Sequence, residues 1–214
     1  MMIRKLVKTA LSWLAAAMLV GVWTPAMAAD ARAQLQRFVA EVQSATGSFT
    51  QQVADDQGRQ RQAQQGEFAF QRPGRFRWRT LQPYEQLVVS DGKVLRQYDP
   101  DLAQVTERPV DASIGASPAA ILFGSGSLED AFELSNRNDR DGLAWLRATP
   151  RGGDAGFAHV DIGFADGLPR RLELLDAFGQ TTRIGLADIV SNPELSSDAF
   201  AFDVPADVDV VRMQ

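Results

Sequence analysis

Apolar and polar residues alternate most sharply between Gly66 and Lys93, in the stretch GEFAFQRPGRFRWRTLQPYEQLVVSDGK. Phe68 and Phe70 fall in phase with Arg72, and after the Arg72-Pro73-Gly74 break Phe76 and Trp78 alternate with Arg75, Arg77 and Arg79. Period-two alternation of this kind belongs to strands with one aromatic and one charged face. Leu87 and Val89 continue an apolar face into Asp91-Gly92, a pair that predicts a type I′ hairpin turn with positive φ at both central residues. Upstream, Asp30 caps a predicted helix on which Leu35, Phe38, Val39 and Val42 share one side, with Thr46-Gly47 as its end. Ser48 to Val53 reads as a first strand with Phe49, Gln51 and Val53 in phase, and Ala54 to Gln65 as a polar connection.

Beyond Lys93 the pattern predicts strands at Val94 to Tyr98 and Gln104 to Arg108. The periodicity then changes. Ser117 as N-cap, Pro118 at the first helical position and Gly124 as the stop predict a short, almost wholly apolar helix through Ala119, Ala120, Ile121, Leu122 and Phe123. Ser127 to Phe132 adds a further helical turn. A meander follows: Phe132 to Ser135, Leu143 to Thr149, Phe157 to Phe164, Arg170 to Asp176, Gln180 to Val190 and Phe200 to Val204. Its turns sit at Asp141-Gly142, Gly152-Gly153, Asp166-Gly167 and Phe178-Gly179. The fold class expected is mainly β with an α lid: an incomplete, strongly curved antiparallel barrel covered by short helices.

Composition narrows this picture. Arg4, Lys5 and Lys8 precede an apolar run from Ala10 to Trp23, and Ala26-Met27-Ala28 supplies small residues for cleavage, so residues 1–28 read as an export signal. Residues 29–214 then form one domain. Losing those three cations moves the formal net charge from −5 to −8, which disfavours nucleic acid as a partner. The absence of cysteine excludes disulfides, thiolate catalysis, thiolate metal sites and lipid attachment at an N-terminal cysteine.

Candidate chemistry is sparse. His159, the only histidine, lies mid-strand, and a structural or surface role is the plainer reading. The Asn138-Asp139-Arg140-Asp141-Gly142 turn has Arg137 where a calcium loop needs its first acidic ligand and Ala148 where it needs its closing glutamate, so it reads as a solvated hairpin. Gly124-Ser125-Gly126-Ser127 lacks the lysine of a phosphate loop. No catalytic residue, metal or cofactor is expected. The aromatic face is either ordinary core or the lining of a ligand cavity. Arg72 points either outward at a strand end or inward, where the free carbonyls ending a helix such as Pro118 to Phe123 can satisfy it. Arg75, Arg77 and Arg79 are a solvated strand face or a docking cluster for acidic surfaces.

Several motifs occur together in order: Ser48-Phe49-Thr50-Gln51, Gly66-Glu67-Phe68, Arg72-Pro73-Gly74-Arg75-Phe76-Arg77-Trp78, Gln82-Pro83-Tyr84-Glu85, Val88-Val89-Ser90-Asp91-Gly92-Lys93-Val94-Leu95 and Tyr98-Asp99-Pro100. With the signal, the Pro118 helix and Phe200-Ala201-Phe202-Asp203-Val204-Pro205, they resemble the outer-membrane lipoprotein carrier family, LolA, over essentially the whole exported chain. The resemblance implies a non-enzymatic, monomeric periplasmic chaperone for lipoproteins. Its partners would be an inner-membrane lipoprotein-releasing ABC transporter and an outer-membrane receptor, LolB. It makes Arg72 the lid latch, Pro118 to Phe123 the lid helix, and puts Phe76 and Trp78 on the cavity side; with Phe49, Phe68, Phe70, Leu87 and Val89, in phase on their strands, these are the expected acyl-chain cavity. The alternative is a non-carrier periplasmic receptor or scaffold with a filled barrel.

Overall fold

The structure, a computed structural model, describes residues 30–110, 122, 128–152 and 156–213, the side chain of Ser197 excepted. Helix α1 (Ala31–Glu41) opens with the Asp30 carboxylate accepting from the Ala33 amide at 2.8 Å, a side-chain N-cap. It stops at Val42 rather than at Thr46-Gly47, because β1 (Ser44–Ala54) already includes that pair. Ala31, Gln34, Leu35 and Phe38 form the buried stripe, whereas Val39 is 39 % exposed. Gln34 takes the place of an apolar residue because its Oε1 accepts the Gly167 amide at 2.9 Å.

The remaining strands are β2 (Gln64–Gln71), β3 (Arg75–Gln82), β4 (Gln86–Asp91), β5 (Val94–Asp99), β6 (Gln104–Pro109), β7 (Phe132–Arg140), β8 (Leu143–Pro150), β9 (Phe157–Ala165), β10 (Leu168–Asp176), β11 (Thr181–Ser191) and β12 (Asp209–Arg212). One helical turn, α2 (Leu128–Ala131), precedes β7. All twelve strands form one sheet in the order β12-β6-β5-β4-β3-β2-β1-β11-β10-β9-β8-β7. Two antiparallel meanders are thus joined at the centre by β1, and β7 and β12 are its two edges. The sheet is curled but not closed. One buried cluster draws residues from both meanders and from α1, with Phe38, Phe70, Phe76, Leu146, Ile162 and Phe164 at its heart. Helix α1 lies on the concave side against β7, β8, β9 and β10.

Two local expectations are revised and a third holds. The Asp91-Gly92 turn has positive φ only at Gly92, because the Asp91 carboxylate accepts the amides of Lys93 and Val94 and holds the chain in a side-chain turn. The two-residue left-handed geometry occurs instead at Asp141-Gly142 and Asp166-Gly167. Phe200 to Val204 is not a strand; Phe200 ends a 3-10 turn (Ser197–Phe200), and the last strand is β12, which runs parallel to β6. Asn138 to Gly142 closes the β7–β8 hairpin, with Asp141 accepting from Arg171 at 2.9 Å.

Candidate functional site: the concave aromatic face and Arg72

Arg72 follows β2, and its amide donates to the Gln43 carbonyl at 2.8 Å, which ties this strand end to the link between α1 and β1. Its side chain turns inward. Nε donates to the Val42 carbonyl and Nη2 to the Leu122 carbonyl, each at 3.1 Å. Val42 is the C-cap of α1, where carbonyls lack helical partners and the helix dipole favours a cation. The guanidinium carbon lies 5.4 Å from the Phe38 ring centre and 5.2 Å from that of Phe70, two rings that meet edge to face with centres 6.0 Å apart, so the cation rests against an aromatic pair. Burial pushes its pKa down, yet a guanidinium keeps its proton in a protein.

The aromatic face lies beneath it. Register pairs Phe70 with Phe76 and Phe68 with Trp78, while Phe49 pairs with Gly66. The Phe49 and Trp78 rings stack at 3.8 Å between centroids, and Phe68 stacks on Trp78 at 6.0 Å. Gly66 and Gly47 make this possible. A Cβ on Gly66 would meet the Phe49 ring at 2.8 Å, and one on Gly47 would meet the Phe68 ring at 2.7 Å. Each ring lies against a neighbouring strand that has no side chain at that point. All five aromatics are between 0 and 8 % exposed, so the face is closed in this state.

Leu87 and Val89 belong elsewhere. They pair with Arg79 and Arg77, so they lie on the convex face, and it is Val88 and Ser90 that share the side of Trp78 and Phe76. Leu87 and Val89 are buried because the C-terminal segment crosses the outside of the sheet there. The 3-10 turn lies against β3 and β4, Phe200 is buried, and Phe202 packs on Tyr98 with ring centres 5.3 Å apart. Two of the three arginines serve this strap. Arg75 lies over the Phe200 ring at 5.9 Å, Arg77 donates to the Ala199 carbonyl at 3.5 Å, and Arg79 pairs with Glu85. Sequence periodicity missed this second core because its cover lies more than a hundred residues downstream.

Of the lid helix, Leu122 is helical and buried; Pro118, Ala119, Ala120, Ile121 and Phe123 lie outside the described residues. His159 is on the convex face of β9, 4.0 Å from Asp161, whose carboxylate takes two bonds from Arg147 at 2.7 and 2.8 Å. Burial would raise the Asp161 pKa, but the Arg147 bonds and charge hold it below the usual carboxylate range. Among the described residues no cluster of histidine, aspartate and glutamate is arranged to hold a metal. What the concave face offers is apolar aromatic surface under a cation-held cover.

A family model described as outer membrane lipoprotein carrier protein LolA matches residues 40–203. The chain belongs to the LolA family. A LolA relative, the outer-membrane lipoprotein carrier protein of Bordetella avium, is 62 % identical over 88 % of this chain and 90 % of its own length. The corresponding protein of Cupriavidus pinatubonensis is 47 % identical, with the same coverage of both chains. Among solved structures, an uncharacterised conserved protein from Thermus thermophilus matches with a TM-score of 0.55 at 15 % identity, over 86 % of this chain and 99 % of its own. A LolA superfamily protein from Nitrosomonas europaea matches with a TM-score of 0.50 at 12 % identity, over 82 % and 99 %. At those identities the structural likeness speaks to the fold alone: the curled sheet with a helix on its concave side. The LolA matched segment contains Arg72, the five concave aromatics and the strap residue Phe200.

Proposed function

We propose that the chain carries lipoproteins through the periplasm by holding their acyl chains against the concave face, without catalysing a reaction. Phe49, Phe68, Phe70, Phe76 and Trp78 are the acyl-binding surface, and the segment Pro118 to Phe123 is its lid. The observation that carries this reading is Arg72 bonded at once to Val42 and Leu122 above a closed aromatic face. Its handover partners are an inner-membrane lipoprotein-releasing ABC transporter and an outer-membrane receptor of the LolB kind. The unit is a monomeric single domain, residues 29–214.

The energetics fit a reversible carrier. Each methylene withdrawn from water is worth about 0.8 kcal/mol, so one long acyl chain gains on the order of 10 kcal/mol before costs. Bonds from a charged donor contribute about 1.5–3 kcal/mol each, so breaking two of them and exposing the aromatic face offsets part of that gain. Net affinity then stays low enough for onward transfer. Arg72→Leu removes the closed-state bonds and so strengthens apparent cargo binding. The variant is expected to co-purify with more acylated lipoprotein and to pass it to an acceptor several-fold more slowly, measured by mass spectrometry and a transfer time course. Absence of acylated cargo from the wild-type protein, purified while the transporter is active, sinks the carrier reading and selects the scaffold.

A further inference from the structure

The concave face carries a second arginine. Register runs continuously from Ala45 through Phe70, Phe76, Ser90 and Leu95 to Arg108, one residue per strand from β1 to β6. Arg108 therefore lies on the same side of the sheet as Phe70 and Phe76, about 19 Å from Phe70 along the sheet at the usual strand spacing. The alternate residues of β6 face the other way: Glu107 bonds Arg96 at 2.9 Å, and Val105 pairs with Tyr98 under the strap. Arg108 thus ends this largely apolar rung at β6, and Arg72 lies beside it, two residues beyond Phe70. They differ in one respect: Arg72 has two carbonyl acceptors, whereas the Nε of Arg108 is withdrawn from solvent and has none among the described residues.

A buried donor left unmade is uncommon in folded proteins and carries the full cost of desolvation. Its setting indicates what completes it. Leu95 beside it and Val110 two residues on belong to the apolar cluster. On the next rung the same side of the sheet carries Gln97 and Thr106, and Gln97 is exposed. Arg108 stands where the apolar concave surface gives way to water. A carried lipoprotein has a matching junction: its fatty chains end in ester and amide carbonyls, beyond which the molecule becomes polypeptide.

We propose that Arg108 is the polar anchor of the cargo, its Nε–H donating to a carbonyl oxygen that joins an acyl chain to the lipoprotein. This rests on the carrier reading. The anchor fixes how deeply the chains lie, since an ester cannot leave the guanidinium for the apolar rung without losing its donor. Free fatty chains without a carbonyl linkage gain only the apolar contribution.

The test compares two peptides bearing S-(2,3-dipalmitoyloxypropyl)cysteine, which has ester carbonyls, or S-(2,3-dihexadecyloxypropyl)cysteine, its ether analogue. Each displaces a fluorescent fatty-acyl probe from the exported protein. The wild-type chain is expected to favour the ester about tenfold, as one charge-assisted bond implies. Arg108→Leu is expected to bind both equally, at the wild-type affinity for the ether, and Arg108→Met, which also lacks a donor, to behave alike should the leucine variant fold poorly. Equal wild-type affinities overturn the anchor while leaving the carrier intact, as does an ester preference that survives in either variant. A wild-type protein that binds neither peptide overturns both readings.

Discussion

Arg147, Asp161 and His159 occupy neighbouring positions on the convex face of β8 and β9, and they set how stability responds to acid. Burial lowers the pKa of His159, and the positive charge of Arg147 lowers it further against the weaker opposing pull of Asp161. The unfolded chain therefore takes up this proton first as pH falls through the ordinary histidine value of 6.5. Folding stability is expected to decline from pH 7 towards pH 5. His159→Gln should flatten that part of the curve in urea melts taken across the range, and an unchanged slope assigns the decline to other groups. Asp161 acts in the same direction in a lower window, adding stability above the carboxylate range that is lost at still lower pH. At this scale the sequence was informative about type and silent about direction. Arg72 was identifiable as an arginine in phase with aromatics, and the Leu122 carbonyl fell within the helix expected to receive it. Its other acceptor, Val42, was not legible, because the sequence does not show that α1 ends against β2.

Individual elements were legible where their own residues decide their burial. The alternation in β2 and β3 and the Asp30-capped helix follow from local pattern, and the structure has them. The orientation of β4 was not. Leu87 and Val89 are apolar, as a core face requires, but the turn through Gln82-Pro83-Tyr84-Glu85 sets a register that pairs them with arginines. Only the strap 110 residues downstream makes that side dry. This separation makes a prediction. Phe200→Ala should cost about 3 kcal/mol in stability, as truncation of a buried phenylalanine does. It should leave acyl-probe affinity at the wild-type value, since Phe200 never reaches the concave side. Urea denaturation and probe titration on one preparation check both halves, and a matching loss of affinity would merge the two cores.

Across the whole molecule the sheet separates two environments, and tryptophan reports each. Beyond residue 28 the chain has two tryptophans, Trp78 on the concave face and Trp145 on the convex. Trp145 is fully buried against Gly163, with its Nε1–H on the Arg140 carbonyl at 3.0 Å. Loading with a diacylated peptide is expected to change the emission of a Trp145→Phe protein, in which Trp78 remains. It should leave a Trp78→Phe protein unaltered, and the reverse pattern would move the cargo to the outer face. The overall class, a curved antiparallel sheet with a helix inside it, was readable from strand count and turn spacing. The strand order was not, since pairing β1 with β11 brings together segments about 140 residues apart.

A single guanidinium holds both the end of α1 and the segment at Leu122. Neither element can withdraw alone without leaving half of a buried cation unpaired, and that weakens its hold on the other. On the proposed carrier reading, departure of the two is therefore expected to be cooperative, a switch between shut and open forms with little population between them. A carrier built this way would neither leak cargo through a half-raised cover nor admit stray apolar molecules too small to displace both elements together.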